Sequence, residues 1–150
     1  MAFFFESRHV LCCSAFLPDS RVIAIRTQAY NMPMNSAPVK ATIAVDVVSQ
    51  IDVRVGKIEA VEDIEGSDKL VKLRVNFGAF TRTIVAGMKQ ERANPREIEG
   101  KQALFVVNLE PRKMRGVTSE GMLFDIGYAD GIRPVLAVPE EEVPNGARAG

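Results

Sequence analysis

Ile51-Asp52-Val53-Arg54-Val55-Gly56-Lys57-Ile58 carries an apolar residue at every second position up to Gly56 and then resumes one residue out of phase. Period two marks a strand with one buried face. A one-residue slip at a glycine is what a β-bulge produces, and a long first strand bent at a bulge is how a small barrel turns a corner. Upstream, Thr42 reads as the N-cap of a helix of one or two turns, with Ile43, Val47 and Val48 closing against the core.

The same alternation recurs downstream. Residues 64–68, with Gly66, form a turn. Val71, Leu73, Val75 and Phe77 then alternate with Lys72, Arg74 and Asn76, a second strand with a basic outer face. Residues 81–88 predict a third strand, and 88–100, polar and broken by Pro95, a short helix and loop. Residues 103–109 are apolar on both faces, so this fourth strand is covered on both sides. A fifth strand spans 118–126, with Met122, Phe124 and Ile126 in one phase, and residues 135–138 supply a last short one. Many short strands divided by turns, with little helix, indicate a closed or sandwiched β fold. The all-β class follows, and five to six strands in about a hundred residues suit a five-stranded OB-fold barrel with short flanking helices and extra C-terminal strands. An SH3-like barrel is the alternative.

Residues 1–42 read differently. No period persists there, and Arg8, Arg21 and Arg26 face only Glu6 and Asp19. We read 1–42 as an extension (translated leader, transit-like segment or mis-assigned start, with Met32 or Met34 as the physiological start) and 43–150 as the domain.

Composition excludes several functions. Lys plus Arg and Asp plus Glu each number 19 among 150 residues, so the net charge is silent about partners and only the distribution of cations speaks. Cys12 and Cys13 are adjacent and His9 is the one histidine, which removes disulfide frameworks, zinc sets and histidine triads. A reducing, cytoplasmic setting is the default, and no apolar run approaches the ~20 residues of a membrane helix. Phosphate-cradling glycine loops and nucleophile elbows are missing from the sequence. Residues 140–142, all Glu, read as a solvated run, and Glu62, Asp63 and Glu65 as a polar hairpin end. We expect no catalytic residues, no metal, no cofactor and no membrane association.

The chemistry concentrates in Asn108-Leu109-Glu110-Pro111-Arg112-Lys113-Met114-Arg115-Gly116 and the following Ser119-Glu120-Gly121-Met122. Three cations in four residues make a compact positive loop, and the guanidinium fork and ammonium both suit phosphate oxygens. Asn108 and Ser119 are donors for phosphate or sugar, and Met122 an apolar surface for a ribose or base. Charge alone also describes an ordinary solvated turn.

Four separated blocks, in order, decide between these. Residues 51–58, Ser67-Asp68-Lys69-Leu70, Ile84-Val85-Ala86-Gly87-Met88 and the 108–122 stretch together resemble the OB-fold tRNA-binding domain family. That family includes free-standing structure-specific tRNA-binding proteins, C-terminal domains of methionyl-tRNA synthetases, domains of synthetase-associated cofactors and CsaA-type export chaperones. The resemblance covers residues 43–150. It implies recognition of tRNA by shape, through phosphates and sugars on one barrel face, as the buried major groove of folded RNA requires. It places Arg112, Lys113, Arg115, Ser119 and Met122 in the binding loop and strand, with Asn108 shaping its base and Lys57 and Lys69 on the neighbouring strand and turn. Lys72, Arg74 and Arg82 extend the face by alternation alone, which a solvated strand would also show.

Two features temper the resemblance. No exposed aromatic lies within the basic loop, since Phe105 and Phe124 fall at core phases, so capture of single strands by stacking is disfavoured. Residues 41–150 also carry slightly more acids than bases. Modest affinity per domain favours two linked sites. Free-standing members are typically homodimers, and residues 103–109, 135–138 and Val143 are the candidate interface. A partner aminoacyl-tRNA synthetase is a further expectation, with the chain in one variant a structural subunit for which RNA contact is secondary. The competing function is a CsaA-like chaperone for unfolded polypeptides, a branch that tends to lack the pattern kept here in residues 113–116 and in Gly121-Met122.

Overall fold

The computed structural model describes residues 37–150. The cysteines, the histidine and most of the segment expected to be a leader fall outside the described residues.

One strand organises the domain. β1 (Val53–Asp63) pairs antiparallel with β2 (Val71–Asn76) along its second half and with β4 (Gln102–Val106) along its first. β3 (Thr81–Ala86) extends the sheet beyond β2, and β7 (Met122–Leu123) extends it beyond β4, giving the order β3-β2-β1-β4-β7. A terminal strand, β10 (Arg148–Ala149), returns to the start of β1. Two small hairpins complete the fold, β5 (Arg112–Met114) with β6 (Val117–Ser119), and β8 (Asp125–Ile126) with β9 (Val135–Leu136).

The bulge in β1 exists, but three residues beyond Gly56. Ile58 pairs with Val75, and the next pair is Ala60 with Arg74, so Glu59 is the extra residue. Ile58 and Val61 therefore both point inward, three apart. At Gly56 the ladder to β4 is unbroken, from Val53 opposite Val106 to Lys57 opposite Gln102. The phase changes there because the covered side changes. Val55 lies under the C-terminal segment, donating to the Ala147 carbonyl at 2.9 Å and accepting from Gly146 at 2.7 Å. Gly56 points into the barrel, where a Cβ would stand 2.5 Å from Val75 Cγ1 and 2.7 Å from the Phe77 ring.

The interior is filled by Ile58, Val61, Leu73, Val75, Phe77, Ile84 and Phe105, with Phe105 edge-on to Phe77 at 5.6 Å. Each such side chain contributes roughly 1.5–3 kcal/mol on burial. Between β3 and β4 the expected short helix is a single 3₁₀ turn, Pro95–Ile98. Asn94 Oδ1 caps it by accepting from Arg96 N at 3.1 Å, and fully buried Ile98 plugs that end of the core.

The predicted fifth strand is broken into β6, β7 and β8, because residues 117–126 change partner twice: β5, then β4, then β9. Its break closes the barrel. Ser119 Oγ accepts from Val85 N at 3.0 Å, Glu120 Oε2 accepts from Thr83 N at 3.0 Å, and Glu120 N donates to Thr83 O at 2.9 Å. Side chains thus bridge where strand pairing to β3 is incomplete. The result is a near-closed five-stranded OB-fold barrel with short flanking helices and extra C-terminal strands.

Other expectations are corrected at the periphery. The first helix, α1 (Val45–Ser49), is capped by Ala44 with no side-chain bond, not by Thr42, and buries none of its residues. It does not close the core. The outer face of β4 is covered only in part, since Leu104 is half-buried, and Phe124, read as core, is 37% exposed. Together with Val45, Val48, Ile51 and Val53 these two line an apolar groove of about 590 Å³.

Candidate nucleic-acid interface

The basic stretch is a β-hairpin rather than an irregular loop. Arg112 faces Ser119, Lys113 faces Thr118 and Met114 faces Val117, which leaves Arg115-Gly116 as a two-residue turn. Both turn residues have positive φ, +49° at Arg115 and +83° at Gly116. That is the turn whose twist matches paired strands, and it ordinarily takes Asn-Gly or Gly-Gly. Among the described residues Arg115 is the one non-glycine with positive φ. Arg112, Lys113 and Arg115 are all exposed, and none has a carboxylate within ion-pair distance among the described residues.

Lys69 shares this end of the barrel. Glu120 aligns with Thr83 and Ser119 with Val85, so the hairpin runs antiparallel to β3 and its tip passes the end of β3. There Ala86 pairs with Val71, the first residue after the 64–70 loop. The loop is pinned by Ser67 Oγ, which accepts from Leu70 N at 3.0 Å, and by the Lys69 carbonyl, which accepts from Lys89 N at 3.1 Å. The Lys69 side chain remains exposed. The loop after strand one and the loop before strand five are the usual ligand-binding loops of an OB barrel.

The remaining predicted residues separate. Lys57 pairs opposite Gln102, at the far end of β4 from the hairpin. Four residues of strand lie between, about 13 Å at ~3.3 Å per residue. Lys57 lines a shallow groove with Lys101 and the acidic 140–142 run. Asn108 is a clamp: its Oδ1 accepts from Asp52 N at 2.8 Å and its Nδ2 donates to Gln50 O at 2.6 Å, fixing the chain before β1 against the chain after β4. Ser119 is 3% exposed, and its hydroxyl donates to Gly121 O at 3.0 Å while accepting from Val85 N. With both capacities spent indoors, that hydroxyl has none left for phosphate. Met122 is 47% exposed but opens onto a different pocket, about 280 Å³, with Met88, Glu91, Leu123 and Val135.

The cations of the sheet face are already occupied. Lys72 Nζ lies 2.6 Å from Glu62, and Arg74 Nε 3.1 Å from Glu59 on the bulge. Arg82 donates to Glu120 O at 2.8 Å and stacks over Phe80 at 5.3 Å. The hydrogen bond from Lys72 holds the Glu62 carboxyl below its usual range, and that from Lys89, with the Arg96 charge adding to it, does the same for Asp63. Arg112, Lys113, Arg115 and Lys69 are among the described cations left without a carboxylate partner. Sequence reasoning missed Thr118, exposed directly across from Lys113, although strict alternation along 117–119 signals it. It also missed Glu120 as a closing residue, for which the sequence carries no signal.

An OB barrel with a basic hairpin beside the loop after strand one is an architecture that oligonucleotide-binding domains use. The family described as "Putative tRNA binding domain" matches residues 53–148, and the chain belongs to that family. The family is a binding domain, not a catalytic one. The methionine--tRNA ligase of Porphyromonas gingivalis is 39% identical over 113 residues, and that of Bacteroides fragilis (strain ATCC 25285) 38% over 110. These cover 75% and 73% of this chain but 16% of each ligase, so the chain spans about a sixth of the length of the curated relatives it matches. The MetRS-related protein of Pyrococcus horikoshii superposes with a TM-score of 0.68 at 41% identity, covering 74% of this chain and 100% of that one. The CsaA chaperone of Bacillus anthracis gives 0.62 at 26%, covering 73% and 100%. No helix among the described residues is long and apolar enough to cross a membrane.

Proposed function

We propose that this protein holds folded tRNA by its phosphates and sugars, through Arg112, Lys113 and Arg115 of the β5–β6 hairpin with Lys69 beside them. The observation that carries this reading is the set of three exposed hairpin cations without carboxylate partners among the described residues, on a domain whose Lys72 and Arg74 are paired internally. Asn108 and Ser119 support the site from within, and Lys57 and Met122 act outside the hairpin contact. The Arg112→Ala, Lys113→Ala double variant is expected to lose tRNA retention in filter binding while its melting temperature holds. The log–log salt dependence of the parent should flatten by about 0.7 to 0.9 per phosphate contact removed. Undiminished binding by the double variant sinks the hairpin as the site. A preference for tRNA over single-stranded RNA of equal length, measured in the same titration, separates recognition of shape from simple charge attraction.

Association with an aminoacyl-tRNA synthetase and a cytoplasmic location belong to the same reading, supported by the likeness to one segment of methionine--tRNA ligases. Copurification from native cells tests both. A chaperone role is the second reading, favoured by the apolar groove beside Leu104 and the likeness to CsaA. Binding of unfolded polypeptide without detectable tRNA binding would select it.

A further inference from the structure

Ser119 cannot offer its hydroxyl to a ligand, but the residue before it can. Thr118 and Lys113 are cross-strand partners, so their side chains share one face of the hairpin, opposite the face shared by Met114 and Val117. Both are exposed, and the Thr118 hydroxyl has no hydrogen-bond partner among the described residues. Directly opposed side chains start about 5 Å apart, close enough to engage one nucleotide together.

Their chemistry differs in a way that matters. Ammonium and guanidinium groups only donate hydrogen bonds, whereas a hydroxyl both donates and accepts. Phosphate oxygens only accept, and RNA and DNA carry them alike. The ribose 2′-hydroxyl donates as well as accepts, and it distinguishes the two polymers. Of the exposed polar side chains on the paired strands and turn, Arg112, Lys113 and Arg115 are donors only, and Thr118 alone can accept the 2′-hydroxyl proton. We infer that Thr118 reads the ribose 2′-hydroxyl of the nucleotide whose phosphate Lys113 holds, and so makes the hairpin select RNA over a 2′-substituted polymer of the same shape. This rests on the reading of the hairpin as the tRNA site.

The test compares tRNA with a fully 2′-fluoro-substituted RNA of the same sequence, since fluorine keeps the sugar pucker but cannot donate. The parent should bind the natural RNA about five- to tenfold more tightly, the worth of one hydrogen bond. Thr118→Val keeps the β-branched shape and removes the hydroxyl, and it should bind both RNAs equally. Thr118→Ser should keep the preference, and all three proteins should melt at the same temperature. A Val variant that retains the preference, a parent without one, or a variant weakened toward both RNAs in the same ratio each overturns the assignment of Thr118. The Arg112→Ala, Lys113→Ala protein serves as the control for the site itself. If that protein binds tRNA as the parent does, the hairpin is not the site and this inference falls with it; if it fails to bind while the Val variant keeps the preference, only Thr118 is reassigned.

Discussion

At Arg115 the backbone and the side chain make opposing demands. A turn with φ of +49° and +83° suits Asn-Gly, since a side chain larger than Asn pays about 1–2 kcal/mol in the left-handed region. A guanidinium at that position, exposed and unpaired, makes sense if its charge is worth more than the strain. Arg115→Asn is therefore expected to raise stability slightly, by up to ~1 kcal/mol in thermal melts, while tRNA affinity falls. A variant that loses stability would mean the guanidinium supports the fold instead. Ser119 predicts the converse. Ser119→Ala leaves Val85 N–H buried without a partner, at a cost of about 1–3 kcal/mol, but its tRNA affinity measured well below the melting transition should match the parent. Gly121 is similarly structural, since a Cβ there would lie 2.6 Å from the Val106 carbonyl.

On the scale of single elements, β1 shows how a strand serves three neighbours. Arg54 in its first half meets Asp52, just before the strand, through three contacts of 3.0–3.1 Å, and Arg148 of β10 reaches the same carboxylate at 3.4 Å. Its second half carries Glu59, Glu62 and Asp63, each held by a cation. Pairing lowers the carboxyls of Asp52 (chiefly the hydrogen bond from Arg54), Glu62 and Asp63, and Arg92 does the same for Glu97. A carboxyl depressed in the folded state stabilises above its ordinary value, 3.8 for Asp and 4.5 for Glu, and loses that contribution as pH falls through the folded value. Glu91 acts oppositely, because burial and then the Asp125 charge push its carboxyl up, so its protonation on acidification relieves the fold. Four lowered groups against one raised predict a melting temperature that is level from pH 7 to near 5 and declines below about 4.5. The pairs are exposed or half-buried at the surface, so the decline is modest and added salt blunts it. In the same strand Gly56→Val should cost more than any of these pairs, roughly 1–3 kcal/mol in denaturant unfolding, because its side chain would displace Val75 and Phe77.

At the scale of the whole molecule, a large apolar groove is left uncovered by the described residues. Val45, Val48, Ile51, Leu104 and Phe124 line the groove beside β4, on the side where β4 was expected to be covered. We propose that a second copy of the chain covers it. Two linked hairpins would then raise effective concentration on one RNA. Val48 is exposed on α1, so Val48→Glu should leave the melting temperature nearly unchanged while light scattering moves from the dimer mass to the monomer mass. A parent that is already monomeric removes the proposal.

Alternation along β1 and β2, with short apolar runs divided by glycine and turn residues after them, was enough to set an all-β barrel, because such patterning is a local property of the chain. The blocks at 51–58, 67–70, 84–88 and 108–122 were enough to name the family. Placement required the tertiary structure. Only the near-closed barrel shows that the bulge lies at Glu59 and not at Gly56, that Ser119 faces β3 indoors while Thr118 faces out, and that Lys57 stands at the end of β4 away from the hairpin. A strand's pattern records which residues are covered but not by what. Whether a hydroxyl meets a ligand or a neighbouring backbone amide depends on a partner thirty-four residues away in sequence, at Val85.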